Sequence, residues 1–291
     1  MTLYYGCPVW AHRGWVGNVF PRDAKPQDYL RHYAQVFSAV EANSTFYALP
    51  KAEVVQRWAE DVPSTFRFCF KMPRAISHEA RLVGAGAETK RLFERMQPLG
   101  ERLGPFFLQL PPSFDGRGFS VLQAYLQSLP RDFRYAVELR HPDWFDEGPH
   151  EERLHDLLRT MNIERVLFDS RPLFASKPSD ATTAAAQAKK PRVPVRTKPV
   201  LDRPFVRFVA SNDPRASSGF LAQWPDEVAR CLDTGEDAFF FTHAPDETVA
   251  PRHARVFLHL MHRLRPDLVP KMPAWPGEAP VKEAQLSLLG D

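Results

Sequence analysis

The feature that most constrains the fold is an alternation of short apolar segments with amphipathic stretches along most of the chain. Eight segments have strand character, and most are apolar throughout, which is typical of strands buried on both faces of a parallel sheet. They are residues 3–9, 39–43, 66–72, 105–110, 134–140, 165–169, 205–209 and 238–242. Helical periodicity lies between several of them, at residues 51–60, 88–102, 151–161 and 252–264. About eight strand-then-helix units predict an α/β fold, a single-domain (β/α)8 TIM barrel.

The length agrees with this prediction, because such barrels commonly need about 250 residues and the chain has 291. A doubly wound open sheet is the alternative, but the sequence lacks the glycine-rich phosphate loop that normally accompanies it. Two segments interrupt the alternation, at residues 171–203 and 266–291. We interpret residues 1–265 as the barrel, residues 171–203 as a flexible basic insertion loop after strand six, and the rest as a Pro-rich tail outside the core.

The cysteines and the N-terminus indicate the compartment. Cys7, Cys69 and Cys231 are odd in number and far apart, and no C-x-x-C pair occurs, which fits a reducing environment. The first residues contain no basic leader followed by an apolar stretch, and no apolar run approaches the roughly 18 residues of a membrane span. The sequence therefore predicts a cytoplasmic protein without a membrane partner.

Polar residues at strand ends are the candidates for chemistry, because active sites of such barrels lie at the C-terminal ends of the strands. Alternation places Glu138 and Arg140 on one face of strand five, opposite an apolar face. The same argument predicts a mouth with three carboxylates, three cations and two amides. These are Glu41, Glu138, Asp169, Lys71, Arg140, Arg207, Asn43 and Gln109.

This polar set has two interpretations. One is a self-neutralising ion network that closes the barrel, and the other is a pocket for a ligand with phosphate, carboxylate or several hydroxyl groups. In the second, Glu138 or Glu41 acts as general acid or base. Lys71 then stabilises negative charge, or acts as a base if its pKa is lowered. The candidate catalytic residues are Glu41, Lys71, Glu138 and Asp169.

Aromatic and histidine side chains near the same strand ends complete the predicted substrate site. Aromatic rings there would stack on a sugar or a base. Histidines beside carboxylates are also compatible with a divalent metal, although the spacing matches no metal motif, so the cofactor is left open. The candidate substrate-binding residues are Trp10, His12, Asn43, Tyr47, His78, Gln109, Arg140, His141, Trp144, Arg207 and His243.

Several ordered stretches resemble the YecE-like family, also known as domain of unknown function 72. They include EANSTFYALP at residues 41–50, FCFKMPRAISH at 68–78, QLPPSF at 109–114 and YAVELRHP at 135–142. The resemblance implies a TIM-barrel fold and no agreed activity. The chain departs from the usual family pattern after strand one and at His243. The resemblance therefore does not identify the ligand.

Two functional hypotheses follow. The first is a hydrolase, lyase or isomerase acting on a phosphorylated or sugar-like substrate, which includes nucleic acid. The second is a non-catalytic module that binds a nucleotide or nucleic acid. Residues 171–203 hold eight Lys or Arg and two Asp, so this segment carries +6 in a chain of net charge +3. Such a segment either contacts phosphates or is a solvated linker.

The end of the chain predicts a protein partner. It is similar to the short peptide by which bacterial proteins dock on the replicative sliding clamp, and it follows a Pro-rich stretch. A leucine replaces the usual final phenylalanine, which buries less apolar area and weakens the contact. The alternative is that these leucines fold back onto the barrel. The residues concerned are Gln285, Leu286, Ser287, Leu288 and Leu289.

Overall fold

The computed structural model describes residues 1–175, 177–178 and 180–278, and its framework is a set of eight parallel strands. Strands β4 to β8 and β1 form one sheet in the order β1-β8-β7-β6-β5-β4, and β2 pairs with β3. The strands are β1 (Leu3–Gly6), β2 (Ala39–Ala42), β3 (Arg67–Phe70), β4 (Phe106–Gln109), β5 (Tyr135–Glu138), β6 (Glu164–Asp169), β7 (Phe205–Val209) and β8 (Ala238–His243). All eight predicted strands are present, within a few residues of their predicted bounds.

Two pairs of neighbouring strands, β1 with β2 and β3 with β4, lack a continuous hydrogen-bond ladder and are joined by isolated backbone hydrogen bonds. Between β1 and β2, the Glu41 amide donates to the Cys7 carbonyl at 3.1 Å. Between β3 and β4, the Met72 amide donates to the Phe107 carbonyl at 3.0 Å. The strand neighbours therefore follow barrel order, and the fold is the predicted α/β class with two seams that are not closed by ladders.

Ten α-helices connect the strands within the described ranges, and none of them is long and apolar enough to cross a membrane. They are α1 (Tyr29–Ala34), α2 (Ala52–Asp61), α3 (Gly86–Met96), α4 (Phe119–Ser128), α5 (Pro149–Met161), α6 (Arg171–Phe174), α7 (Ala181–Lys189), α8 (Pro214–Leu221), α9 (Pro225–Asp233) and α10 (Ala250–Leu264). The predicted helix at 88–102 ends earlier, at Met96, and a 3-10 segment follows. Gly100 there has a φ of 53°, which an α-helix cannot contain.

Alternation along the strands separates an inner layer from a layer that faces the helices. On the outer side, Phe68 and Phe70 stack near Trp58 of α2. The inner layer is a mainly apolar cluster of Tyr4, Ala39, Cys69, Phe107, Ala136, Val166, Phe205, Phe239 and Phe241. This cluster fills the barrel below the polar strand ends and excludes water from the floor of the mouth.

The basic segment at 171–203, which we expected to be an irregular loop, contains the short helices α6 and α7. Asp180 caps α7 by accepting from the Thr183 amide at 2.8 Å. Arg196 is tied to Glu151 of α5 through contacts of 2.7 and 2.8 Å. The missing hydrophobic periodicity misled the prediction, because an alanine-rich stretch with a good N-cap forms a helix without an apolar stripe.

The first part of the Pro-rich tail also differs from the prediction, because it packs against the barrel domain. Trp275 is buried, and the Arg255 guanidinium lies 3.4 Å from its ring centroid. The Gly277 amide donates to the Asn18 carbonyl at 2.9 Å. The clamp-like peptide at residues 285–289 lies outside the described residues.

Candidate functional site

Arg207 on the inner face of β7 is the centre of a buried ion network at the C-terminal mouth of the barrel. Its Nε and Nη2 donate to the two carboxylate oxygens of Glu41, each at 2.7 Å, and its Nη1 donates to Glu138. The Arg207 side chain is 3% exposed and both carboxylates are fully buried. Such a pair is favourable only with geometry of this kind, because each charge has lost its water.

Three further side chains complete the bonding of the two carboxylates. Arg140 Nε donates to Glu138 at 2.6 Å. His243 Nε2 lies 2.9 Å from Glu41 Oε2, and Asn43 Nδ2 donates to Glu41 Oε1 at 2.8 Å. Glu41 therefore takes part in four hydrogen bonds with three residues and has little remaining capacity to accept another.

The two carboxylates stay ionised at neutral pH. Burial by itself would raise the pKa of Glu41, but Arg207 and His243 hold it well below its usual range. Burial likewise opposes ionisation of Glu138, yet Arg140 and Arg207 lower its pKa to about 2. This geometry favours an electrostatic and positioning role for both residues over the acid–base role that the sequence predicted.

His243 is a neutral member of the network. Burial lowers its pKa to about 4, with Glu41 opposing the shift and Arg207 adding to it. A neutral imidazole donates a single proton, so Nε2 carries that proton toward Glu41.

Lys71 directly follows β3 and contributes an amine to the same mouth. Its Nζ donates to Gln109 Oε1 at 3.1 Å and lies 3.7 Å from the centroid of the Phe46 ring. Burial, and then the charge of Arg207, lowers the pKa of Lys71 to about 7, while Glu138 opposes the shift. A substantial fraction of this amine is therefore neutral at pH 7, and a neutral amine acts as a base or a nucleophile.

His78 lies beside this amine. Its Nδ1 is 2.8 Å from Ser77 Oγ, and its ring meets the edge of Phe46 at a centroid distance of 5.1 Å. Burial, with Lys71 and Arg140, lowers the pKa of His78 to about 4. The imidazole is thus neutral and shares the Phe46 ring with Lys71.

Lys190, directly after α7, is a site residue that the sequence reasoning missed. The residue is half-buried, and its charge interacts with the charges of the network. Burial, Arg207 and Arg140 lower the pKa of Lys190 to about 8, against the opposing charge of Glu138. No hydrogen bond of Nζ occurs within the described part of the chain. The sequence shows two lysines at the end of an alanine-rich stretch, but we interpreted the whole segment as a flexible basic loop, and nothing local marks either lysine as buried.

Glu247, in the loop after β8, is the second residue that was missed. Its Oε2 is buried and has no hydrogen-bond partner among the residues described. Burial raises the pKa of Glu247 to about 8, while Lys190 opposes the shift. The backbone carbonyl of Glu247 accepts from Trp15 Nε1 at 2.9 Å, which fixes the loop. The mouth therefore contains a carboxyl group that is largely protonated at pH 7.

His12 belongs to this side of the mouth. Its ring lies 5.3 Å from that of Trp15, and its Nδ1 is buried without a partner in the described ranges. Burial lowers the pKa of His12, although Asp246 opposes the shift.

Asp169 is not part of the cluster, contrary to the prediction. Its carboxylate accepts from Arg171 at 2.9 and 2.8 Å and from Trp224 Nε1 at 3.0 Å. Val166 and Phe168 occupy the inner positions of β6, so Asp169 points outward to the helix layer. We therefore no longer assign it a catalytic role.

Most of the aromatic residues that were predicted to stack on a ligand lie away from the polar mouth of the barrel. Trp144 is fully buried and donates through Nε1 to the Phe114 carbonyl at 2.7 Å, so it fixes a loop. Trp10 packs edge-on against Trp58 of α2 at 5.1 Å, in the helix layer. Tyr47 is 80% exposed and lines an open groove of about 710 Å³ beside the mouth.

Within the described ranges, no group of three or more His, Cys, Asp or Glu residues is placed to hold a metal ion. The divalent metal considered from the sequence therefore has no ligand set there. Glu41 and Glu138, the expected ligands, are already bonded by Arg207, whose charge repels a cation. His141 Nδ1 accepts from the Asp143 amide at 3.2 Å and caps the turn Pro142–Phe145.

Comparison with known proteins gives a consistent set of relatives. The family model described as "Protein of unknown function DUF72" matches residues 4–277. The UPF0759 protein YecE of Escherichia coli (strain K12) is 38% identical over 286 residues, which is 98% of this chain and 99% of that protein. The UPF0759 protein YunF of Bacillus subtilis is 25% identical over 161 residues, covering 52% of this chain and 55% of that protein.

Solved structures resemble the fold. The crystal structure of a DUF72 family protein from Thermotoga maritima has a TM-score of 0.69 at 22% identity, covering 90% of this chain and 100% of that one. A DUF72 family protein from Enterococcus faecalis gives 0.64 at 19% identity, covering 90% and 97%.

Proposed function

Because the chain belongs to the DUF72 family, a family of unknown function, we propose its activity from the site itself: acid–base catalysis on a small anionic substrate at the barrel mouth. The proposal rests mainly on one observation. The Lys71 amine lies in a mouth whose charged carboxylates are already bound by arginine, so neither is free to hold Lys71 in its protonated form.

Two cations supply the anion subsite. Arg140 uses Nε for Glu138, and its terminal nitrogens have no hydrogen-bond partner in the described part of the chain. The Lys190 ammonium also lies in the mouth, again without a described partner. A phosphate or carboxylate accepts strong charge-assisted hydrogen bonds from such groups. The three cations Arg140, Lys190 and Arg207, together with a partly protonated Lys71, face only two ionised glutamates, which favours an anionic ligand over a neutral one.

Two groups with opposite shifts supply the proton transfers. Lys71, with its pKa lowered to about 7, accepts a proton from the substrate. Glu247, with its pKa raised to about 8, donates one to a substrate oxygen. Pairs whose surroundings shift them in this way are typical of acid–base sites. Isomerases, lyases and hydrolases of phosphorylated sugars commonly use such a pair, and we propose the activity at that level.

The experiment is a turnover screen of sugar phosphates and phosphodiesters, with phosphate affinity measured by calorimetry. Lys71→Arg keeps the charge and removes the base, so turnover should be lost while phosphate still binds. Lys190→Met should weaken phosphate binding, whereas Lys189→Met, a change at an exposed neighbour, should not. Turnover at the wild-type rate in Lys71→Arg would refute the proposal.

We also propose, from the sequence alone, that residues 285–289 dock on a sliding clamp and that the protein works near DNA. A fluorescence assay with a peptide of residues 279–291 and the clamp tests this, with Gln285→Ala, Leu288→Ala as the control peptide. Equal affinity of the two peptides would contradict the proposal.

The net charge of the segment at residues 171–203 suggested contact with nucleic acid, but its side-chain contacts support this less well. Arg171, Arg196 and Arg203 pair with acidic groups of the protein, which leaves fewer cations for phosphates. DNA binding with and without residues 177–190, measured at two salt concentrations, tests this contact. If the salt dependence of DNA binding is the same with and without these residues, the segment does not bind DNA.

A further inference from the structure

The surroundings of the Lys71 amine point to covalent chemistry. We propose that Lys71 Nζ forms a Schiff base with the aldehyde or ketone carbonyl of a substrate whose phosphate or carboxylate binds Arg140 and Lys190. This inference rests on the proposed function, since it uses the same anion subsite. It adds the substrate class and a covalent step in which the neutral Lys71 amine acts as the nucleophile instead of as the base.

The first support is the position of the amine. Its one hydrogen-bond partner in the described chain is Gln109, and the Phe46 ring covers one side at 3.7 Å. Lys71 is half-buried at the C-terminal end of the barrel, so its side chain is not closed off from solvent on every side. A lysine with a purely structural role would instead pair with a carboxylate, and both charged carboxylates nearby are bonded to Arg207.

The second support is the Phe46 ring itself. An aromatic face stabilises a cation above it, which by itself would keep the amine protonated. A protonated Schiff base is a planar cation at the same nitrogen, so it retains this contact after the carbonyl has reacted. The ring therefore stabilises the covalent intermediate, and the anionic group of the substrate offsets the repulsion that Arg207 and Arg140 exert on a cation at this nitrogen.

The step balances without a redox partner. The Nζ lone pair forms a bond to the carbonyl carbon as the C=O π pair moves to oxygen, and a proton then passes from nitrogen to that oxygen. The resulting carbinolamine takes one proton from the protonated carboxyl of Glu247, the acid of the proposed function, and loses its hydroxyl group as water, leaving a protonated C=N bond and a Glu247 carboxylate. His78 is neutral and contacts the same Phe46 ring as Lys71, so we assign to it the relay of the first proton.

Reductive trapping tests the inference. The full-length protein is incubated with glycolaldehyde phosphate, reduced with sodium borohydride, and analysed by intact mass and peptide mapping. We expect one adduct per chain on Lys71, and its absence from Lys71→Arg. Because the neutral amine reacts, the rate of trapping should rise with pH through about 7. Glycolaldehyde without phosphate should give a lower yield, since it lacks the anion.

The matched variants separate the possible outcomes. Lys190→Met should keep the adduct on Lys71 at reduced yield, and Lys189→Met should behave as wild type. An adduct on Lys190, adducts spread over exposed lysines, or no adduct would each overturn the Schiff base. If phosphate binds and Lys71→Arg loses turnover, but no adduct forms, the Schiff base fails while the proposed function stands. If phosphate does not bind at all, the proposed function fails with it.

Discussion

The contacts of one guanidinium determine what the buried carboxylates at the mouth can do. Arg207 binds Glu41 through two nitrogens and Glu138 through the third, so one residue holds both glutamates in their ionised form. With these acids fixed, the groups that titrate near neutrality are Lys71, Lys190 and Glu247. The candidates for proton transfer are therefore not the two glutamates that the sequence suggested, but the residues whose pKa values the network shifts toward neutrality.

Removing the central arginine is predicted to destabilise the protein strongly. Arg207→Met leaves two buried carboxylates without their main partner, and breaking a buried pair in this way costs about 3–5 kcal/mol. Urea unfolding measures the loss. Arg140→Met is the control, because Glu138 keeps Arg207 as a partner, and its cost should be clearly smaller. Equal costs for the two variants would contradict the central position of Arg207.

Acid should weaken the fold partly through Glu138. Its pKa falls from an ordinary 4.5 to about 2 in the folded protein, so it contributes stability that is complete above about 4.5. That contribution is lost as the pH falls toward about 2, because the folded carboxylate must then be protonated. Urea unfolding between these pH values should show a steeper decline for wild type than for Glu138→Gln. Parallel curves would show that Glu138 has no such shift.

The sequence predicted part of this site, and the failures have physical reasons. Glu138 and Arg140 were found because apolar and polar residues alternate clearly in β5. Asp169 was misplaced because Val166, Leu167 and Phe168 are all apolar, so the sequence does not show which positions face inward. No local pattern indicates that a lysine or a loop glutamate will be buried, since tertiary packing alone decides that.

At the scale of elements, the strands were predictable and the long insertion was not. Continuous apolar runs bounded by polar residues define the strands wherever the barrel buries both faces. The segment at 171–203 instead derives its position from contacts far apart in sequence, such as Arg196 with Glu151 and the Val200 amide with Glu164 at 2.8 Å. These contacts bring Lys190 to the mouth.

Releasing this segment should therefore weaken anion binding from a distance. Arg196→Met removes the contacts with Glu151, so Lys190 is held less firmly and phosphate affinity should fall about fivefold, which corresponds to ~1 kcal/mol. Calorimetry with inorganic phosphate measures the change. Lys198→Met, at an exposed position of the same segment, should leave the affinity unchanged. A normal affinity in Arg196→Met, with a reduced one in Lys190→Met, would show that the anchor does not position Lys190.

For the whole molecule, the barrel order of the strands is what brings the site together. β2, β3, β5 and β7 are separated along the chain, yet their inner faces deliver Glu41, Lys71, Glu138 and Arg207 to one mouth. The apolar layer beneath them excludes water, which strengthens each electrostatic interaction. The insertion and the loop after β8 then add a cation and a protonated acid from above. The fold class follows from the alternation in the sequence, whereas the charge balance of the mouth depends on the assembled barrel.

The central claim is that the Lys71 amine is substantially neutral near pH 7 inside an anion-binding mouth. The most direct measurement is an NMR titration of the protein labelled with ¹³C at lysine Cε, with the Lys71 signal assigned by its absence from Lys71→Arg. We expect a midpoint of about 7. We also expect saturating phosphate to move this midpoint upward, because a bound anion favours the protonated amine. A midpoint near the ordinary 10.5, unchanged by phosphate, would contradict it.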